Sequence, residues 1–171
     1  MAIVKANYTR KVGSAKASVR YIEHRPGRDG AKIRRTLFNA DGTVERGDVY
    51  TMIDQAANGS YFFRLVISPD PQREDSDKNL SLRELTEKTI ASLEDRFQRP
   101  LQWVATIHDD HAEHRHVHAI AIVPARLQVQ DFQRMRSAAT EEALEQRRHL
   151  DLIREARDRS QEHSESLGLS W

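Results

Sequence analysis

The pattern of apolar and polar positions along the chain predicts a mixture of strands and helices. "SYFFRLVISPD" is rich in β-branched and aromatic residues and stops at Pro69, which predicts a buried strand from Tyr61 to Ser68. "SLRELTEKTIASLEDRFQ" places Leu82, Leu85, Thr89, Leu93 and Phe97 at helical spacing. It opens with a capping box, Glu84 standing three residues after Ser81. "PLQWVATIH" and "HRHVHAIAIV" read as two strands, and "DDHAEHR" between them is short enough for a hairpin. Nearer the N-terminus, "AIVKANYT" reads as an opening strand. Ser14 as a cap and Pro26-Gly27 as a stop predict a helix from Ser14 to Arg25. "RRTLFNADGTV" reads as a strand into a turn at Asp41-Gly42, and "DVYTMIDQAAN" as a short helix ending near Asn58-Gly59. After Pro124 the chain turns Ala-, Glu- and Arg-rich, which predicts one long helix or two, with Phe132, Met135, Leu144, Leu150 and Ile153 as candidate buried positions. The expected architecture is α+β: a central antiparallel sheet with helices against it over residues 1–124, and a C-terminal helical extension over 125–171.

Composition narrows the chemistry. The chain has 171 residues, 38% hydrophobic and 31% charged, which suits one core and some solvated helix. It has no cysteine, so disulfides, thiolate metal sites and thiol catalysis are excluded together. No apolar run approaches the ~20 residues of a membrane span, and the start lacks a signal-peptide core. Membrane insertion is therefore not expected, and a cytoplasmic location is. The net charge of +1 hides an asymmetry, because the first 50 residues are basic and the remainder acidic. A basic third is a candidate phosphate-binding surface.

The histidines change the picture most. Five of eight lie within "IHDDHAEHRHVHAIAIV": His108, His111, His114, His116 and His118. Residues two apart on a strand share a face, so His116 and His118 stand side by side with Val117 turned away. On the preceding strand Gln102, Val104, Thr106 and His108 share a face. Folding the two strands as an antiparallel hairpin brings His108 beside the pair. Three imidazoles on one patch make a metal site with open positions. Nitrogen donors without thiolate suit Mn²⁺, Zn²⁺, Co²⁺ or Ni²⁺, and Mg²⁺ less well. Asp109, Asp110 and Glu113 are near enough in sequence to orient a ligand histidine. His111 and His114 belong to the turn, with His114 able to substitute as a ligand.

His116-Val117-His118 followed by "AIAIV" resembles the His-hydrophobic-His strand of the HUH endonucleases. More narrowly, "HDDHAEHRHVHAIAIV" resembles the third motif of the mobilisation relaxases of the MobA and VirD2-like group. Their upstream histidine falls on His108 and their paired histidines on His116 and His118. "YFFRLVISPDP" and "LQWVATIH" are similar to the strands leading up to that motif, so the resemblance spans roughly Ser14 to Val123. Arg115 stands where these enzymes often have proline, and Val123-Pro124 where they often have asparagine. The resemblance implies an HUH relaxase-like fold and a metal-dependent, site-specific single-strand DNA nickase acting at a transfer origin. It implies a 5′-phosphotyrosine intermediate, Mn²⁺ or Mg²⁺ as the first expected ions, and possible relaxosome or coupling proteins as partners.

Such chemistry needs a tyrosine. Tyr21 lies in "KASVRYIEHR" between Arg20 and Arg25, and "VRYI" resembles the nucleophile-bearing "LRYI" of the same group. Tyr8, also in a basic setting, is the second choice, ahead of Tyr50 and Tyr61. Asp110 matches the acid of the His-x-Asp pattern, and Arg20, Arg25, Arg34 and Arg35 are candidate DNA contacts. Three other readings share parts of the pattern. One is an HUH replication initiator or transposase. Another is a two-histidine, one-carboxylate iron oxygenase built on His108, Asp110 and a later histidine. The third is an inactive DNA-binding relaxosome accessory protein.

Overall fold

The structure is a computed structural model and describes residues 1–27, 29–109 and 114–168. Strand β1 (Ile3–Thr9) leads into helix α1 (Val12–His24), the small hairpin β2 (Leu37–Asn39) and β3 (Gly42–Val44), and helix α2 (Arg46–Asp54). Then come β4 (Tyr61–Ser68), α3 (Leu82–Phe97), β5 (Trp103–His108), β6 (His116–Val123) and α4 (Val129–Gly168). The six strands form one sheet in the order β1-β4-β6-β5-β2-β3, with every neighbouring pair antiparallel. The fold is α+β.

Alternation along the strands divides the core in two. Phe63, Leu65 and Ile67 of β4 and Val117, Ala119, Ala121 and Val123 of β6 face α3 and α4. Phe62 of β4, Val104 of β5 and Ile120 and Ile122 of β6 face the other way, against Ala15, Val19 and Ile22 of α1 and Val49 and Ile53 of α2. Burying both faces explains why β4 and β6 read as nearly continuous apolar runs.

Local sequence sets the element boundaries. The N–H of Glu84 donates to Ser81 Oγ at 3.2 Å, as the capping box requires. The reciprocal half comes from elsewhere: Ser81 N–H donates to Gln146 Oε1 of α4 at 2.6 Å, so the start of α3 is tied to α4. The β2–β3 turn uses Gly42 at φ 131°, a conformation that favours glycine, and Asn39 Oδ1 accepts from the Asp41 N–H at 2.9 Å. Helix α1 starts two residues before the predicted Ser14, which therefore lies inside it, its carbonyl accepting from Ser18 Oγ at 2.9 Å.

Helix α4 is single and 40 residues long, roughly 60 Å at 1.5 Å per residue. Its first half packs on α3 and the sheet through Met135, Ala139 and Ala143, with Phe132 and Leu150 at the margin. Leu144 and Ile153, expected to be buried, are exposed. A helix lying along one neighbour buries a narrow stripe, and these two positions fall outside it. Among the described residues no helix is long and apolar enough to cross a membrane.

Candidate metal centre

The same alternation that builds the cores brings the histidines together. On the α1 face of the sheet, Ile120 and Ile122 of β6 are apolar, while His118 and His116 continue the row beyond them. Pairing of β5 with β6 sets His108 directly opposite His116 and Thr106 opposite His118. Ring centroids are 5.3 Å apart for His108–His116, 4.3 Å for His108–His118 and 5.0 Å for His116–His118. One nitrogen from each ring lies within 4.8 Å of the others, so the three can share one metal ion.

Hydrogen bonds decide which nitrogens are available. Nε2 of His108 lies 3.0 Å from Thr106 Oγ1, leaving Nδ1 as the ligand atom. Nδ1 of His116 lies 3.2 Å from the His114 carbonyl. Nδ1 of His108 and Nε2 of His118 are buried without a hydrogen-bond partner. An unsatisfied buried polar atom is costly and uncommon in a native fold. A cation accepting both lone pairs removes that cost, so the donor set fits a metal ion.

Electrostatics favour the same state. Burial pushes His108 down from its ordinary 6.5 to about 3, with the charges of His118, Arg35 and His116 acting in the same direction and a contact with the Ile22 backbone opposing them. Burial, then His116, Arg25 and Arg35, lowers His118 to about 4. Both rings are therefore neutral at pH 7, and ligation requires no proton release from them. The positive charge of Arg25 and Arg35 beside the cluster acts in the same direction, against protonation of the rings.

The structure sorts the other expected residues. Between α1 and the sheet lies a cavity of about 630 Å³ whose walls include both His118 and Tyr21. Tyr21 is 56% exposed, and the Arg25 guanidinium lies 6.0 Å from its ring centroid. Tyr8 is on the opposite side: it pairs with Phe63 across β1 and β4 and its ring packs on Phe63 and Tyr61. The sheet thus separates Tyr8 from the histidines. Arg35 is buried, and its Nη1 donates to the Arg25 carbonyl at 2.6 Å, which fixes the chain leaving α1. Arg34 instead pairs with Glu45 at 3.3 Å and buried Glu23 at 3.7 Å, and Arg20 is exposed on α1. Asp110, His111 and Glu113 lie outside the described residues, and among the described residues no carboxylate joins the three histidines.

Two residues of this neighbourhood carried no functional assignment in the sequence reading. Thr106 orients His108. Arg64, in the middle of β4, lines the cavity with its side chain on the histidine face. The available signal was a lone arginine inside the apolar run "YFFRLVIS". Arg115, one residue before His116, turns away to pair with buried Asp75. No protein-family model, no curated protein and no solved structure matches the chain.

Proposed function

We propose that this protein is a metal-dependent, single-strand DNA-nicking transesterase of the HUH relaxase type, serving mobilisation at a transfer origin. The observation that carries the reading is the meeting of three imidazoles, their nitrogens within 4.8 Å, with Tyr21 on the wall of the cavity that His118 also lines. The order of the motif along the chain and its position on adjacent antiparallel strands support the same family.

His108, His116 and His118 would hold the ion, with Mn²⁺ or Mg²⁺ expected. When bound, a divalent cation polarises phosphate oxygens and neutralises their charge. Arg25 would hold the strand's phosphate near the cluster, with Arg35 bracing the backbone beneath it. Tyr21 Oη attacks phosphorus, forming the P–O bond of a 5′-phosphotyrosine as the P–O3′ bond breaks. The phenol proton leaves to solvent, and the departing 3′-oxygen takes one up. Because the phosphotyrosine retains the phosphodiester's bond energy, the released 3′-hydroxyl can reverse the step without a nucleotide cofactor. Asp110 is proposed to orient a ligand histidine.

The test uses the full chain with Mn²⁺ and a single-stranded DNA library. Wild type is expected to form a protein–DNA adduct that survives denaturation, and Tyr21→Phe to form none. His116→Ala/His118→Ala is expected to lose both the adduct and the stabilisation that Mn²⁺ confers, about 2.7 kcal/mol at a hundredfold excess over Kd, which is read as a rise in melting temperature. An unchanged adduct in Tyr21→Phe overturns the nucleophile. An unchanged Mn²⁺ response in the double variant overturns the centre.

A further inference from the structure

Arg64 is half-buried in the middle of β4. Of the other half-buried arginines, Arg115 pairs with Asp75 at 2.8 Å and Arg147 with Asp151 at 3.1 Å. Arg64 has no ion pair with any described carboxylate. Its Nη1 makes one long contact, 3.4 Å to Ser18 Oγ, and its Nε is buried with no hydrogen-bond partner. A guanidinium half removed from water without a counter-ion is an unfavourable arrangement that an anion relieves.

The surroundings say which anion. Arg64 lines the cavity of about 630 Å³ between α1 and the sheet, together with Asn7, Ser18, Tyr21 and His118. Its strand partners are Asn7 on β1 and Ile120 on β6, while His118 is paired with Val66. Arg64 is thus one strand over and two residues along from His118, roughly 8 Å between backbones at ordinary sheet spacing. A cavity of this size admits a nucleotide unit. Ala17, Ile22 and Val66 supply apolar wall for a sugar and base, and Asn7 and Ser18 supply an amide and a hydroxyl.

We infer that this cavity is a nucleotide subsite in which Arg64 binds the phosphate neighbouring the one held at the histidines. This rests on the proposed reading of the protein as a single-strand DNA enzyme and adds a residue that sets how the strand is seated. Arg64 is a positioning residue here, because it holds a phosphate that does not react.

The experiment separates this inference from the nickase reading by using metal-free, full-length protein, in which no cleavage is possible. The probes are thymidine, thymidine 5′-monophosphate and pentathymidylate, with the Arg64 Nε–H resonance as the direct readout. Pentathymidylate is expected to shift that resonance and to bind more tightly than the mononucleotide, and the mononucleotide more tightly than thymidine. Arg64→Met is expected to weaken pentathymidylate binding roughly ten- to hundredfold, as loss of a charge-assisted contact does. Its Mn²⁺ binding should be unchanged. Arg64→Lys, which keeps the charge, should retain part of the affinity, and it carries the comparison if the methionine variant does not fold. Equal binding of thymidine and its monophosphate, or pentathymidylate binding that ignores both substitutions, overturns the subsite. Mononucleotide binding as tight as pentathymidylate overturns its assignment to a DNA strand in favour of a free nucleotide. Arg64-dependent pentathymidylate binding in a protein that never forms the Tyr21 adduct leaves the subsite standing and removes the nickase.

Discussion

Removing the Arg115 side chain tests how firmly the strand bearing His116 is anchored. Nε and Nη2 of Arg115 donate to the two carboxylate oxygens of Asp75 at 2.9 and 2.8 Å, and Nη2 also donates to the Leu80 carbonyl at 2.9 Å. Asp75 is 4% exposed, and the Leu80 N–H is its other side-chain partner, at 3.2 Å. Arg115→Ala therefore strands a buried carboxylate on one backbone N–H. Breaking a buried pair in this way costs about 3–5 kcal/mol, a large part of the roughly 5–15 kcal/mol that holds a domain. At about 2–4 °C per kcal/mol for a chain of this size, the expected fall in melting temperature is roughly 6–20 °C. Replacing both partners with apolar residues, Asp75→Leu/Arg115→Met, should recover most of that loss, because no charge is left buried. Thermal unfolding followed by circular dichroism gives the stabilities, and the double-variant cycle gives the coupling. A loss below about 1 kcal/mol in Arg115→Ala, or a double variant no better than the sum of the singles, would refute the reasoning. Titration with Mn²⁺ adds a second reading. If Arg115 anchors the first residue of β6, the alanine variant binds the ion more weakly, whereas unchanged affinity assigns Arg115 to the loop alone.

Two further outcomes follow from the same geometry. The folded-state values of His108 and His118, about 3 and about 4, lie below the ordinary 6.5, so the unfolded chain binds protons that the folded chain refuses. The stability they contribute is complete above about pH 6.5 and is lost as pH falls toward 4 and 3. Urea unfolding of metal-free protein should therefore show a steeper loss between pH 7 and 5 for wild type than for His108→Gln/His118→Gln, and equal slopes would contradict the buried neutral pair. Met135, fully buried between α4 and the sheet, should cost about 2–5 kcal/mol on change to alanine, while exposed Ile153 should cost under about 0.5 kcal/mol. A comparable loss at Ile153, measured by the same unfolding assay, would mean that the far half of α4 is packed in solution.

Much of the site was legible because its determinants are local. The period of two along a strand, a connection short enough for a hairpin and the matched ends of β5 and β6 suffice to bring His108, His116 and His118 onto one face. The same holds for β4, whose bounds Tyr61 and Ser68 were readable from an apolar run ending at proline, and for the Ser81 cap, where a side chain meets a backbone N–H three residues on. What the linear chain could not decide is which distant elements share a face. The pairing of β1 with β4 puts Tyr8 on the α3 and α4 side, and the sequence alone could not show this, because a strand's parity has meaning only once its partner's register is known. Arg64 became part of the cavity through pairings of β4 with β1 and β6 that join segments more than 50 residues apart. Arg115 found Asp75 across 40 residues, and Gln146 completed a helix cap 65 residues away. Those contacts depend on the two cores closing around the sheet, a free energy summed over the whole molecule. A short window of sequence holds the periodicity of each element but not the choice of its neighbours.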